Sequence, residues 1–368
     1  INNGKLTALS ATAIGNRYEQ GALDVAATSV GDIAATDGGA FVAFTGVDGS
    51  KVTIDSVTAD AKDADVGLTI GQGGLTVTSL SVARDLSINV AGNADVKSLE
   101  LGNTTAGGTL SLAATAGDIA QISGTSIVAD GSDALTTLSA GGDITLDSAN
   151  NDFAALTVLT GADVTIKDRD DLDLHDVNTT GTFDICTGDQ LVVLEGTNID
   201  AGGDIKIIVA NGLLDLEDDT TITAGNDISL TTNGGDFRSL GTVQITATGA
   251  IDTSIAGDTT FEDTTSITTG GDLNLSGAGD FKAAGTTTLT STNGKVGVAS
   301  TSKGDITLSG TTVLDAKGGI TVSASDGDMA LSDDSTLSSD TGTTALIATT
   351  GGLRLSGTST IAGDDVSI

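Results

Sequence analysis

The densest group of ionisable side chains in this sequence is the run Lys167-Asp168-Arg169-Asp170-Asp171-Leu172-Asp173-Leu174-His175. Asp171 and Asp173 flank Leu172, so on a strand they point to one face, with Asp170 and Asp168 on the opposite phase. Carboxylates grouped in this way hold a hard cation or act as acid and base on a glycosidic bond. The run also reads as a charged turn and strand facing solvent, and that reading is adopted. No catalytic, cofactor-binding or metal residue is therefore assigned. Asp168, Asp170, Asp171 and Asp173 stand as the group nearest to a metal site, and Ca2+ is the ion it would take. His175 is the only histidine, so no multi-histidine metal site can form. It reads as an exposed or capping residue.

Other acidic groups are Glu217-Asp218-Asp219, Asp333-Asp334 and Asp364-Asp365. Adjacent strand residues face opposite sides, so these doublets chelate only if a turn folds them together. The nine-residue glycine–aspartate period of calcium rolls is absent. Cys186 is the single cysteine, which excludes an intrachain disulfide; its nearest charges, Asp184 and Asp189, are acidic and would not activate a thiolate. Threonine phrases occur at Thr286-Thr287-Thr288 and Thr221-Ile222-Thr223. A flat threonine array would suit an ice surface, but these phrases do not read as sharing one phase of the repeat described next, which argues against it.

The elements that must position these groups are repeated. A phrase of glycine, then Asp or another small residue, then aliphatic–x–aliphatic returns along the whole chain, as in Gly142-Asp143-Ile144-Thr145-Leu146, Gly203-Asp204-Ile205-Lys206-Ile207 and Gly271-Asp272-Leu273-Asn274-Leu275. Its first apolar residues form a series of sixteen anchors that includes Ile33, Ile54, Leu75, Val96, Ile185, Ile205, Leu346 and Val366, with a mean step of about 22 residues. The alternation within each phrase has period two, and Ser, Thr, Asn and Gly fill the intervals, so the elements are short strands joined by turns. About 22 residues suffice for three strands and three turns, one coil of a parallel β-helix. Sixteen coils stacked at about 4.8 Å would give a rod of roughly 75–80 Å. The expected fold is all-β, a right-handed parallel β-solenoid running as one continuous domain over residues 1–368.

Composition agrees with such a column. There are 51 Gly, no Pro, no Trp, one Tyr and seven Phe. Proline removes a ladder donor, and nearly every strand of a stack is central. Large aromatics fit poorly in a narrow core, so some Phe are expected to share one interior column; Phe237 and Phe281 are 44 residues, two coils, apart. Glycine before each strand is expected to supply a positive φ at the corner. Fifty acidic against fifteen basic residues give a net charge of −35. That disfavours nucleic acid and anionic membrane surfaces as partners, and keeps molecules apart in solution. No apolar run is long enough to span a bilayer as a helix. The chain begins at Ile1 and ends at Ile368 inside the repeat, as a segment of a longer protein or a stacking subunit would.

The stretch GGDITLDSANNDFAALTVLTGADVTIKDRDDLDLHDV, from Gly141, resembles the haemagglutinin-type repeats of large secreted bacterial adhesins of the filamentous-haemagglutinin kind. The resemblance implies a right-handed parallel β-helix on a cell surface, used for attachment or for building extracellular fibres, and implies no catalytic residues. The secretion-domain signature of those proteins is missing. The expected function is a non-catalytic structural or adhesive rod or filament component, secreted and held at a prokaryotic cell surface. Its expected partners are copies of itself end to end, or neighbouring repeats of one chain, and surface glycans or proteins. The alternatives are a carbohydrate-active β-helix enzyme (a polysaccharide lyase or tail-spike-like depolymerase) and a calcium-dependent matrix protein.

Overall fold

In the computed structural model, residues 5–11, 14, 22–45, 49–91 and 99–368 are described. The anchor Val96 lies outside them. Among the described residues there is no helix, and every strand pairing is parallel. The protein is a β-solenoid of about 15 turns with roughly 23 residues per turn, against the expected sixteen of about 22. Two compact units divide it, residues 1–172 with 176–181, and residues 173–175 with 182–368.

The first unit builds its coils from two ladders. One stacks the long strands Val52–Ala59, Leu75–Val82 and Leu99–Ala106 in register, Val52 beside Leu75 beside Leu99. The other stacks Ala40–Phe44, Val66–Ile70, Leu86–Val90 and Leu110–Ala114. Each long strand turns a corner without breaking: in Leu75–Val82, Leu75 and Val77 are buried, Thr78 and Ser79 both face out, and Leu80 and Val82 are buried again. Two ladders thus do the work of the three expected strands. The corner opens where Leu99–Ala106 hands over to two separate strands, Ile119–Gln121 and Ile127–Ala129.

The second unit has the expected three strands per coil. One coil runs Ile228–Thr232, Phe237–Ser239, Thr242–Ala247, and the next runs Ile251–Ile255, Thr259–Phe261, Thr264–Thr269. Aliphatic side chains at alternate positions fill the interior, as Ile205, Ile228, Ile251, Leu273, Val296 and Ile320 do in one column. Register corrects four anchors: in the first unit Val52, not Ile54, lies beside Leu75, and Ile33 lies beside Val57 rather than Ile54. Phe183, not Ile185, lies beside Ile205, and Thr344, not Leu346, lies beside Ile320. A buried threonine occupies that aliphatic position because its hydroxyl donates to the Ala362 carbonyl, 2.7 Å away.

The expected phenylalanine column is present with an insertion. Phe237, Thr259 and Phe281 are in register, and the Phe261 ring, two residues further along the middle strand, lies edge-on between the other two at 5.7 and 5.4 Å. The threonine phrases also fall into line. Thr221 pairs with Gln244, Gln244 with Ser266 and Ser266 with Thr288, so Thr221 and Thr288 share one outward column. Steps of 23, 22 and 22 residues hide that phase in the sequence.

Candidate functional site

The charge cluster of the sequence is divided by burial. Asp171 and Asp173 are exposed and Asp170 is half-buried, whereas Asp168 is buried. Asp168 lies just past the strand Val164–Lys167, and its two oxygens accept the backbone N–H groups of Phe153 at 2.8 Å and Asp170 at 3.0 Å. Burial pushes its carboxyl up to about 7, against the pull of those two donors. Arg169 spans Asp152 and Asp170, lying 3.0 Å from the latter. Asp152 is also raised, chiefly by burial and then by Asp170. His175 is half-buried, and Cys186 is half-buried and outside any disulfide.

Beside this cluster lies a polar knot that the sequence did not suggest. Asn151, fully buried, exchanges amide hydrogen bonds with Gln121 at 2.7 and 3.1 Å, accepts the Ile127 N–H at 2.9 Å and donates to the Leu146 carbonyl at 3.1 Å. Gln121 closes the loop between the two strands into which the corner has opened, donating to Thr125 O at 3.1 Å. Each group here holds backbone that the corner would otherwise leave without partners. The signal in the sequence was a Gln and an Asn inside an otherwise aliphatic and threonine-rich pattern.

Aspartates of the repeated glycine–aspartate phrase serve a second purpose missed from sequence. The carboxylates of Asp236, Asp258, Asp280, Asp305 and Asp328 each accept the backbone N–H one coil further on, at 2.7–2.8 Å. Asp118, Asp143, Asp204, Asp227 and Asp272 make the same bond at another corner, at 2.7–3.1 Å. At most copies the glycines of the phrase are required by this contact rather than by the expected positive φ, which Gly73 (92°), before Leu75, does adopt. A Cβ on Gly279 would stand 2.2 Å from the Asp258 carboxylate, and one on Gly304 would stand 1.8 Å from the Gly279 carbonyl. An unbroken run of positive φ belongs to a different corner, where Asp263 (57°), Gly285 (80°), Gly310 (70°) and Asp333 (58°) follow one another in register.

Arginines are committed in the same manner. Arg84 grips Asp65 with two bonds of 2.7 Å, and Arg238 grips the buried Asp215 on the neighbouring strand. An open groove lies across Ile306–Leu308, Met329–Leu331 and Leu353–Leu355, with Asp305, Asp328 and Arg354 on its wall and no aromatic side chain. Among the described residues, no three His, Cys, Asp or Glu side chains converge as metal ligands would.

Residues 83–160 match a family described as repeats of unknown function (DUF5649). No curated protein and no solved structure matches the chain. The family match and the parallel coils together make this a repeat-rich β-helix protein.

Proposed function

We propose that this chain is a non-catalytic structural element of a prokaryotic cell surface, an adhesive or load-bearing β-solenoid. The observation that carries the reading is the use made of the acidic side chains: carboxylates of the repeated phrase bind backbone N–H groups of the next coil, so the chemistry of the repeat serves coil-to-coil cohesion. The likeness of the stretch from Gly141 to haemagglutinin-type repeats supports a secreted adhesin, as does the strongly acidic surface of a chain with net charge −35. Its partners on this reading are further coils of the same kind and glycans or proteins of neighbouring cells. Electron microscopy of native cells, with gold-labelled antibody against this chain and external protease as a companion, tests it. Label on surface rods or fibres, lost after protease, is the expected result; label confined to the cell interior overturns it.

A second reading is favoured by one observation, the Asp168 carboxyl raised to about 7 beside Asp152 and Asp170, as a general acid of a carbohydrate-active enzyme would be. Against it, both Asp168 oxygens are held by backbone donors. Release of reducing ends from acidic or neutral polysaccharides, abolished by Asp168→Asn, would establish the enzyme.

A further inference from the structure

The outward face of one ladder in the second unit is an ordered, uncharged lattice of hydroxyl groups, interrupted once by the amide of Gln244. Strands Thr220–Ala224, Thr242–Ala247, Thr264–Thr269 and Thr286–Ser291 pair one residue to one residue without a register shift. Their outward positions fall into three ranks. Thr264 and Thr286 belong to the first, Ser266 and Thr288 to the second, Thr268 and Thr290 to the third. The ranks continue without a break of register into Thr311–Ala316 and Asp334–Ser339. Neighbours along a rank are one strand spacing apart, about 4.8 Å, and ranks are two residues apart, about 6.6 Å.

Three properties characterise this face, and the density of its hydroxyls sets it apart from the equally uncharged strands Leu273–Gly277, Val296–Ser300 and Ile320–Ala324, whose outward positions include Gly297 and Ala299. It carries no charge over four successive strands of a chain with net charge −35; carboxylates bound the ranks at Asp200 on the preceding strand and at Asp315 and Asp334 on the following ones. It carries no aromatic ring. Its hydroxyls are largely unspent: that of Thr242 bonds to the Asp218 carboxylate, but none of the six named bonds to another protein group, whereas Ser and Thr at the neighbouring corners cap carbonyls, as Ser291 does Gly271 O at 2.6 Å and Thr301 does Gly277 O at 3.0 Å. Threonine is stiff at χ1, so each hydroxyl and each methyl is held at a defined place above a rigid ladder.

A partner for such a face must be uncharged, ordered in two dimensions, and able both to donate and to accept hydrogen bonds. Sugars in solution favour aromatic platforms, and a charged partner finds no counter-charge here. We propose that this face binds the surface of an ice crystal. Its threonine hydroxyls occupy positions of the oxygen lattice while the methyl groups rest over the spaces between, and ordered water joins the two at little entropic expense. The register overturns the sequence-based argument against an ice face, because the threonine phrases do share a phase. The inference stands apart from the surface role proposed above and can fail without it.

The test is partition of the full chain into a slowly growing ice hemisphere, alongside Thr288→Tyr, Thr268→Tyr and a control, Thr321→Tyr, on the outward side of the strand Ile320–Ala324. The protein and the control should enter the ice. Each array variant, its melt unchanged, should be depleted by at least about tenfold, which corresponds to about 1.4 kcal/mol of adsorption. Two array positions are used so that a variant that fails to fold leaves the other to decide. Exclusion of the unaltered protein from the ice overturns the proposal, as does equal entry of a folded array variant. Retention on crystalline cellulose together with exclusion from ice overturns it in favour of a polysaccharide lattice.

Discussion

At the scale of single residues, the corner aspartates set two magnitudes against each other. A carboxylate accepting a backbone N–H contributes about 1.5–3 kcal/mol net. Two carboxylates about 5 Å apart repel by about 0.8 kcal/mol in bulk water. An interior member of the column Asp236–Asp258–Asp280–Asp305–Asp328 has two such neighbours, so its bond and its repulsion are of similar size. Asp258→Ala removes both and is expected to destabilise by about 1 kcal/mol in urea unfolding. Asp258→Asn keeps an acceptor for the Asp280 N–H and loses the repulsion, so it should match or exceed the parent, most clearly at low salt. Two positive-φ glycines, in different corners, supply a second comparison. Gly124→Ala has open space around the new Cβ and suffers only its φ of 81°, at about 1 kcal/mol, whereas the Cβ of Gly285→Ala would lie 2.3 Å from the Asp263 carbonyl and should cost several times as much. Asp168 gives the pH dependence. Its folded-state carboxyl is raised from 3.8 to about 7, so between those values the folded protein keeps a proton that the unfolded chain has released. Its contribution to stability therefore falls as pH rises through that window and is flat above it. Unfolding of Asp168→Asn at pH 5 and pH 8 should show a smaller loss of stability on raising the pH than the parent shows.

At the scale of the coil, the interior is a set of columns whose members come from residues about 23 apart. Phe261 fills the space between the rings of Phe237 and Phe281, so Phe261→Ala should open a cavity costing about 3–5 kcal/mol, and Phe261→Leu distinctly less. Thr287 points inward from the ladder whose outer face bears the hydroxyl lattice, and its buried hydroxyl has no partner. Thr287→Val removes that group at equal shape and should stabilise by about 1 kcal/mol, read as a higher urea midpoint with unchanged slope. These columns show which parts of the fold were legible in the sequence. Period-two alternation and glycine–aspartate phrases located the strands, since both follow from a rigid geometric repeat. Register was less legible, because the turns vary in length. An anchor chosen for its aliphatic side chain slid two residues, from Thr344 to Leu346 and from Phe183 to Ile185. The same slippage concealed that Thr221 and Thr288 share a column. The candidate cluster was legible as charge, but not as one buried aspartate beside exposed neighbours, since that depends on where the ladder turns its corner at Phe153 and Asp168.

At the scale of the whole molecule, the net charge of −35 and the stacked ladders pull in opposite directions. Parallel coils bring like positions of successive repeats together, so any acidic position in the repeat becomes a line of negative charge. The opposing force is short-ranged, being hydrogen bonds and apolar contact between adjacent coils, while the repulsion reaches as far as the ionic atmosphere permits. Salt shortens that reach, from a Debye length of about 30 Å at 0.01 M to about 8 Å at 0.15 M. The melting temperature should therefore climb over this interval and level off beyond it, once the screening length approaches the spacing of a few coils. Replacing Asp258, Asp280 and Asp305 together by Asn should flatten the climb, since it breaks one of the lines. Calcium separates screening from coordination. In these columns one oxygen of each carboxylate is already held by a backbone N–H, which leaves each column site a single free oxygen per coil. Hard divalent ions need six or more oxygen ligands. Melting curves in CaCl2 and NaCl should accordingly coincide when compared at equal ionic strength. A further rise that saturates with CaCl2 and is reversed by EGTA would instead mean that the columns gather ligands around bound ions, and that the acidic coat is a calcium-set scaffold rather than a screened one.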